Sequence, residues 1–531
     1  MLGSMGFHRR AGGRWLRILL ATACGFLVAV LALAVILALR FQPVAHDYFV
    51  STLERRYKSD VELGSLQISV LPAIHATGDN LVLWFNGRHD VPPMVRIRRF
   101  TLDASLLNFF RNPKHIGSLR LEGLQIHLPP RPAQPPSAAS TEPRPPAVVR
   151  SAATAAFILD EVIADGTTVE ITPKDPSKNP LMFDIQKLSL RTIGMGLPMT
   201  FQAELNNPKP PGFIHCEGQF GPWDAARPVD TAISGKYTFR NADLSVFKGI
   251  SGNLASDGTF TGQLDRMEVA GTTDIPDFAL TSGIHPMALH TDFQATVDGT
   301  DGNTILHPVR ARLGKSAFEV AGAIERGALE TRKTILLDAK TVTGSPARLE
   351  DFLRLSVKSA EPPMTGGIRF DTKVKLPPGD TPVIDRLQLD GTFGLNGVKF
   401  TSADVQGKIA SLSHHAQGDP NDHDSNVTAE FQGSFHLHNG QLGLPDLGFT
   451  VPGARVNIQG SYILRSGVLD FRGTAKLDAT VSQMTTGLKS KMLKLVDPLF
   501  RRDGAGTVIP IVISGTRGQP SFRLDIGRVF R

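Results

Sequence analysis

The chain has 531 residues, with 57 lysines and arginines against 50 acidic residues and a formal net charge of +7. Five of the arginines (Arg9, Arg10, Arg14, Arg17 and Arg40) stand in the first 40 residues. The body is therefore near neutral, which excludes the electrostatic footprint of a nucleic-acid binder. Two cysteines, Cys24 and Cys216, exclude a disulfide-stapled framework, while 51 glycines and 37 prolines favour turns over long helices.

Residues 1–17 read as a basic, cytoplasmic N-terminus. Ile18–Leu39 (ILLATACGFLVAVLALAVILAL) follows as 22 residues without a charge. At about 1.5 Å per residue it reaches roughly 33 Å, the thickness of a bilayer core. Arginines precede it and no acidic residue stands before position 40, so the positive-inside rule sends the rest of the chain outward. A secretory core is usually shorter and ends in a small-residue cleavage site, which is missing here. Cys24 after Ala21-Thr22-Ala23 is similar to a lipoprotein cleavage site, but most of the apolar run lies beyond it. The expectation is a single-pass, uncleaved anchor in the plasma (inner) membrane with one large extracytoplasmic body.

Residues 40–128 form the first segment of that body. Val44–Tyr57 reads as an amphipathic helix carrying Val44, Tyr48, Phe49 and Leu53 on one side. Strands follow in VELGSLQISVLP, ATGDNLVLWF and VRIRRFTLD, then a helical turn at Leu106–Phe110 opened by Asp103. In LRLEGLQIHLPP the apolar phase changes at Gly123, which predicts a bulge. Pro129–Pro146 (PPRPAQPPSAASTEPRPP) cannot join a sheet; it reads as a linker or exposed loop, and residues 129–150 mark the main domain boundary.

Residues 151–390 and 391–531 are dominated by period-2 alternation from Phe157 onward. Ala454, Val456, Ile458, Tyr462 and Leu464 alternate with polar residues, as do Leu469, Phe471, Ala475 and Leu477, and Phe431, Phe435 and Leu437. One wet and one dry face predict half-buried antiparallel strands. Asn439-Gly440, Asp390-Gly391 and Asp257-Gly258 read as hairpin turns. Short helices are predicted at Ser345–Leu355, capped by serine with proline at its first position, and at Thr485–Leu499. The fold class is thus mainly β: an N-terminal transmembrane helix, then an elongated, curled antiparallel sheet with few helices. So few helices cannot cover the dry face. The sheet either closes on itself or leaves a groove for something apolar.

Catalytic signatures are scarce: there is no HExxH, CxxC or GxSxG. Gly314-Lys315-Ser316 imitates the end of a phosphate loop, but its context is strand-turn-strand. SHHAQGDPNDHDSN gathers His414, His415, Asp419, Asp422, His423 and Asp424. Its three histidines are weak metal candidates, and the composition is that of a solvated hairpin loop. No nucleophile-base pair is visible, so a non-enzymatic protein without a cofactor is expected.

The C-terminal residues NGQLGLPDLGFTVPGARVNIQGSYILRSGVLDFRGTAKLDATVSQMTTGLKSKMLKLVDPLFRRDGAGTVIPIVISGTRGQPSF resemble the C-terminal region of the AsmA family. Asn439-Gly440, Gly460-Ser461-Tyr462, Ser482-Gln483-Met484, Asp497-Pro498-Leu499-Phe500, Ile509-Pro510 and Gly515-Thr516 with Pro520 follow one another in the family's order. The anchor and LRLEGLQIHLPP are similar to the family's start. The resemblance implies an inner-membrane-anchored periplasmic protein involved in outer-membrane assembly and lipid homeostasis. It also implies kinship with bridge-like lipid-transfer proteins, whose curled sheets offer acyl chains an apolar trough. Phospholipid, and protein partners in the envelope, are the implied partners. The strands holding Val456, Ile458, Tyr462, Leu469, Phe471 and Leu477 would contribute to the groove. About 35 strands at ~4.8 Å would reach roughly 170 Å. The alternative is a lipid-free scaffold for outer-membrane protein assembly, joined to its partners by strand addition.

Overall fold

The computed structural model describes residues 46–524, apart from short internal stretches and two longer ones, 129–156 and 484–505. It is mainly β, with 67% strand and few helices, and the sheet is mixed and not closed. Twenty-four strands are described, fewer and longer than the sequence suggests. The apolar run 18–39, the turn 106–110 and the helix 485–499 lie outside the described residues, and among those described no helix is long and apolar enough to cross a membrane. The chain divides into two compact units, described in turn.

Unit 1 comprises Met1–Ile171, Asp184–Gln202 and Gly221–Pro228. A helix over residues 46–55 is followed by β1 (Val61–Ser69), β2 (Ile74–Leu83), β3 (Val95–Ala104), β4 (Lys114–Leu128) and β5 (Phe157–Ile171). Neighbours from β1 to β4 pair antiparallel. β4 and β5 pair parallel, Lys114 opposite Phe157 and Leu128 opposite Ile171. A parallel pair needs a long crossover, and the Pro-rich stretch lies in the connection between these two strands. The boundary expected at 129–150 is therefore corrected: both flanks of that stretch belong to one unit and one core. Leu66, Ile97, Phe100, Leu121, Leu124, Val162 and Ala164 form that core. From the helix, Phe49 stacks on Phe100 at a centroid distance of 6.1 Å.

The phase change at Gly123 is real, but it is not a bulge. Register runs unbroken through it, with Ile97 opposite Leu124 and Arg99 opposite Glu122. The flip is instead shared by five strands along one line. That line passes from Gly64 to Asn80, Arg98, Gly123 and Gly166, whose flanking pairs place them side by side. Three of these residues have positive φ: Asn80 at 53°, Gly123 at 64° and Gly166 at 67°. Either side of the line the apolar residues point to the same core, Leu121 with Leu124 and Ile97 with Phe100. A left-handed residue in neighbouring strands makes this inversion possible without an unpaired residue.

In chain order, β6 (Leu181–Gly194) and β7 (Met199–Pro208) come next, in the part of the chain that passes between the units. Unit 2 then contains β8 (Pro211–Phe220), β9 (Ala232–Asp243), the short β10 (Ile250–Ser251), β11 (Asn253–Gln263), β12 (Arg266–Leu280), β13 (Met287–Val297), β14 (Thr304–Leu313), β15 (Ser316–Glu325) and β16 (Thr334–Thr341). It continues with β17 (Met364–Leu376), β18 (Gln388–Phe400), β19 (Ala429–His438), β20 (Gln441–Val451), β21 (Ala454–Ile463), β22 (Val468–Leu477), β23 (Thr507–Thr516) and β24 (Gln519–Leu524). Leaving β10 aside, the sixteen strands from β8 to β24 pair antiparallel, each with the next. Fifteen inter-strand spacings of about 4.8 Å span about 72 Å.

Asn439-Gly440 forms the expected two-residue hairpin, with φ of 51° and 73°. Asp257-Gly258 and Asp390-Gly391 do not form turns: they lie inside β11 and β18. The reason is packing. A Cβ on Gly258 would stand 2.8 Å from the Tyr237 ring, and one on Gly235 2.9 Å from that of Phe260. Aromatic rings thus lie over cross-strand glycines, and part of the glycine content serves strands rather than turns.

Besides short helical turns at Leu244–Val246 and Val383–Arg386, two longer helices are described in this unit. The first spans Leu349–Ser356, with Arg348 at its N-cap and no side-chain cap, so the expected start at Ser345-Pro346 is corrected. The Pro346 carbonyl accepts instead from the Ala317 amide at 3.0 Å, which holds that segment against β15. The second helix, Ala403–Gln417, replaces the loop expected around His414 and His415. The Ser402 hydroxyl caps its first turn, and Gly418 ends it at φ 83°. Its Ala410 and Ala416 enter a core with Val398, Val427, Val451, Ala454, Val456 and Leu477.

Candidate apolar binding face

Cross-strand register turns the alternation of single strands into a face. Phe260 stands opposite Val269, Val269 opposite Ala295, and Val309 opposite Val320. Leu337 faces Val374, Phe370 faces Phe393, and Leu395 faces Phe431. Phe431 continues to Phe449, Val456, Ala475 and Ile509. Most of these side chains are half-buried rather than sealed, including Phe260, Phe293, Phe370, Phe431 and Phe449. Full burial of such a side chain contributes about 1.5–3 kcal/mol, so a half-covered row forgoes a share of that at every strand. An apolar occupant would recover it.

The opposite face is charged and paired. Glu217 meets Lys236 at 2.8 Å, Arg240 meets Asp257 at 2.6 Å and His290 meets Asp274 at 2.6 Å. Exposed pairs of this kind contribute little individually, but they keep that face in water and fix which side is which. Asp446 accepts from the backbone amide and hydroxyl of Ser434, and the hydroxyl bond first, then the amide bond, holds its carboxyl below the usual carboxylate range.

Near the C-terminal end the face hollows into a cavity of about 470 Å³. Its walls are Phe431, Leu447, Phe449, Val456, Ile458, Ile511, Val512 and Ile513, with Phe400, Ile409 of the helix Ala403–Gln417, and Arg523. That helix is well held. Gln406 Nε2 donates to the Val427 carbonyl at 2.7 Å, Ser413 Oγ to the Pro452 carbonyl at 2.8 Å, and the Ala479 amide to the Ala416 carbonyl at 2.8 Å.

The six residues singled out in the sequence share this one face by register. Val456 and Ile458 line the cavity. Leu477 is 4% exposed and belongs to the core beside Val456. Phe471 is 7% exposed, its ring against Gly460, where a Cβ would stand 2.7 Å from it. Tyr462 and Leu469 face each other, half-buried, outside the cavity lining. Phe400, Ile409, Phe449, Ile511 and Ile513 were not foreseen as lining. The period-2 run Ile509, Ile511, Ile513 carried a signal for two of them; Ile409 required the helix.

His414 and His415 do not come together. His414 is 7% exposed; its Nε2 donates to the Asp424 carbonyl at 2.7 Å and its Nδ1 meets the Asp422 carboxylate at 3.1 Å. His415 Nδ1 donates to the Ser411 carbonyl at 2.7 Å. Consecutive helical residues point about 100° apart, so the two rings diverge. His423 lies outside the described residues. Among the described residues no group of three or more His, Cys, Asp or Glu is placed to hold a metal ion.

Gly314-Lys315-Ser316 is the β14–β15 turn, as its context suggested. Its role is mechanical. Buried Asp351, in the first turn of the helix Leu349–Ser356, accepts from Ser316 Oγ at 2.7 Å and from the Lys315 amide at 3.0 Å. Phe352 of the same helix then meets Phe318 and Phe370 edge-on at 5.9 and 5.4 Å. Cys216 is a free thiol opposite Tyr237, and burial pushes its pKa up to about 11.

No family model, curated protein or solved structure matches the chain.

Proposed function

We propose that this protein is a membrane-anchored, extracytoplasmic lipid-handling protein that acts by non-covalent contact with acyl chains. The observation that carries the reading is the apolar face, which register carries from β11 to β23 and which is left half-covered, with a charged, paired face behind it. Two features of the sequence support it: the uncharged run Ile18–Leu39 behind its arginines, and the resemblance of both ends of the chain to the AsmA family. Residues of the apolar face would contact the tails, while head groups stay in solvent.

The test is native mass spectrometry with lipid extraction on the full-length chain, taken from membranes in mild detergent. Phospholipid should copurify with the wild type and fall at least about tenfold in Ile458→Glu, a loss of ~1.4 kcal/mol. Circular dichroism verifies that the variant remains folded. A folded, lipid-free wild type would contradict the reading and favour the scaffold that recruits envelope proteins by strand addition.

A further inference from the structure

Resting on that reading, we infer that two connections of unit 2, residues 244–252 and 377–387, form a clasp over the apolar trough between β11 and β17, and that their seam is where acyl chains enter it. The first connection precedes β11 and the second follows β17. From β11 to β17 each strand pairs antiparallel with the next, so β11 and β17 run the same way and the two connections belong to opposite rims of the sheet. Laid flat, six spacings of about 4.8 Å and a strand of about ten residues would part them by roughly 45 Å. They touch instead. Lys248 Nζ donates to the Asp380 carbonyl at 3.2 Å, and a Cβ on Gly249 would stand 3.2 Å from Val383 Cγ2. Twist of roughly 20–25° per strand accumulates to well over 100° across six steps and turns one rim toward the other; curling of the sheet closes the remaining distance.

The apolar side is the inside of that curl. The described strands form one sheet with no second sheet over it, yet Phe260, Phe293 and Leu337 are half-buried while Asp257, Asp274 and Lys340 on the other side are exposed. Each jaw of the clasp is fixed to its own flank. Ile250 pairs with Leu280, and the Thr281 amide donates to the Gly249 carbonyl at 3.1 Å. On the other jaw Asp380 meets Arg332 at 3.0 Å, and Asp385 pairs with Arg465. Across the seam the contacts are slighter: an exposed lysine on a carbonyl, and one aliphatic contact. So few buried contacts give a seam that opens at far lower cost than the strands beside it. Val246 and Ile384, 41% and 38% exposed, leave apolar surface on both jaws for an entering chain.

The experiment bridges the seam in the full-length chain. Lys248→Cys and Asp380→Cys, in a background of Cys24→Ala and Cys216→Ala, are joined by a short bismaleimide with a reducible disulfide spacer. Peptide mass spectrometry should find the bridged pair. Exchange of deuterated phosphatidylglycerol onto the detergent-solubilised protein, followed by native mass spectrometry, should slow about tenfold on bridging and recover when the spacer is reduced. Each single-cysteine variant, treated alike, should exchange as fast as the unbridged chain. A bridged protein that exchanges at the unbridged rate would overturn the gate and leave the lipid reading standing. Failure of the two cysteines to bridge would overturn the clasp itself. An unbridged chain that takes up no phospholipid would sink the lipid reading, whatever the bridge shows.

Discussion

Gly123 and Gly166 occupy adjacent strands with nearly the same left-handed φ, 64° and 67°, yet their surroundings differ. A Cβ on Gly123 would stand 3.1 Å from Arg98 Cβ, while one on Gly166 would meet nothing within 4 Å. Gly166→Ala should therefore cost only the backbone term, about 1–2 kcal/mol. Gly123→Ala should cost more, because contact adds to it. Denaturant melts of the two variants compare them directly; equal losses would refute the steric part. Cys216 supplies a second prediction. With its thiol pushed up to about 11, iodoacetamide at pH 8 should modify the folded protein far more slowly than the urea-unfolded chain. Fast modification of the native protein would show the thiol to be open. The phase change at Gly123 was legible from LRLEGLQIHL alone. The shared line was not, because Gly64, Asn80, Arg98 and Gly166 meet only through register between strands.

At the scale of elements, the two longer helices described in unit 2 are tied down by polar contacts that the hydrophobic pattern does not encode. Asp351→Ala leaves the Lys315 amide and the Ser316 hydroxyl without their acceptor, and should destabilise unit 2 by about 1–3 kcal/mol. Asp351→Asn keeps the shape and one acceptor oxygen, so calorimetry should place it between alanine and wild type. The helix Ala403–Gln417 escaped the sequence because a reading that starts at Ser413 sees only its last turn, followed by Asp, Pro and Asn. Earlier, Val405, Ile409 and Leu412 already recur at helical spacing. The hairpin at Asn439-Gly440 was legible because the turn needs positive φ at both positions. Asp257-Gly258 and Asp390-Gly391 carry the same turn residues for another purpose.

The β19–β20 pair also carries a pH prediction. Asp446 has a folded pKa below its unfolded value, so its contribution is complete above the unfolded value near 4 and disappears as pH falls through the folded one. Wild type should lose melting temperature below about pH 4, and Asp446→Asn should lose less over the same interval. A larger acid-side loss in the variant would contradict the assignment.

For the molecule as a whole, the mainly β class and the wet-face, dry-face alternation were legible in single strands. Whether the dry faces join was not, since that depends on which residues stand opposite one another. Among the described residues the strands are fewer than expected because most of them run to ten or more residues, and the Pro-rich stretch reads as a boundary because parallel pairing across it leaves no local signal. The continuous face is the central claim, and benzoylphenylalanine photo-crosslinking in cells tests it most directly. The crosslinker would stand at Phe293 and Phe431 on the apolar face, and at their neighbours Gln294 and Gln432 on the polar face. The account predicts phospholipid adducts from the first two positions and none from the second two. Adducts from all four, or from the glutamine positions alone, would contradict it.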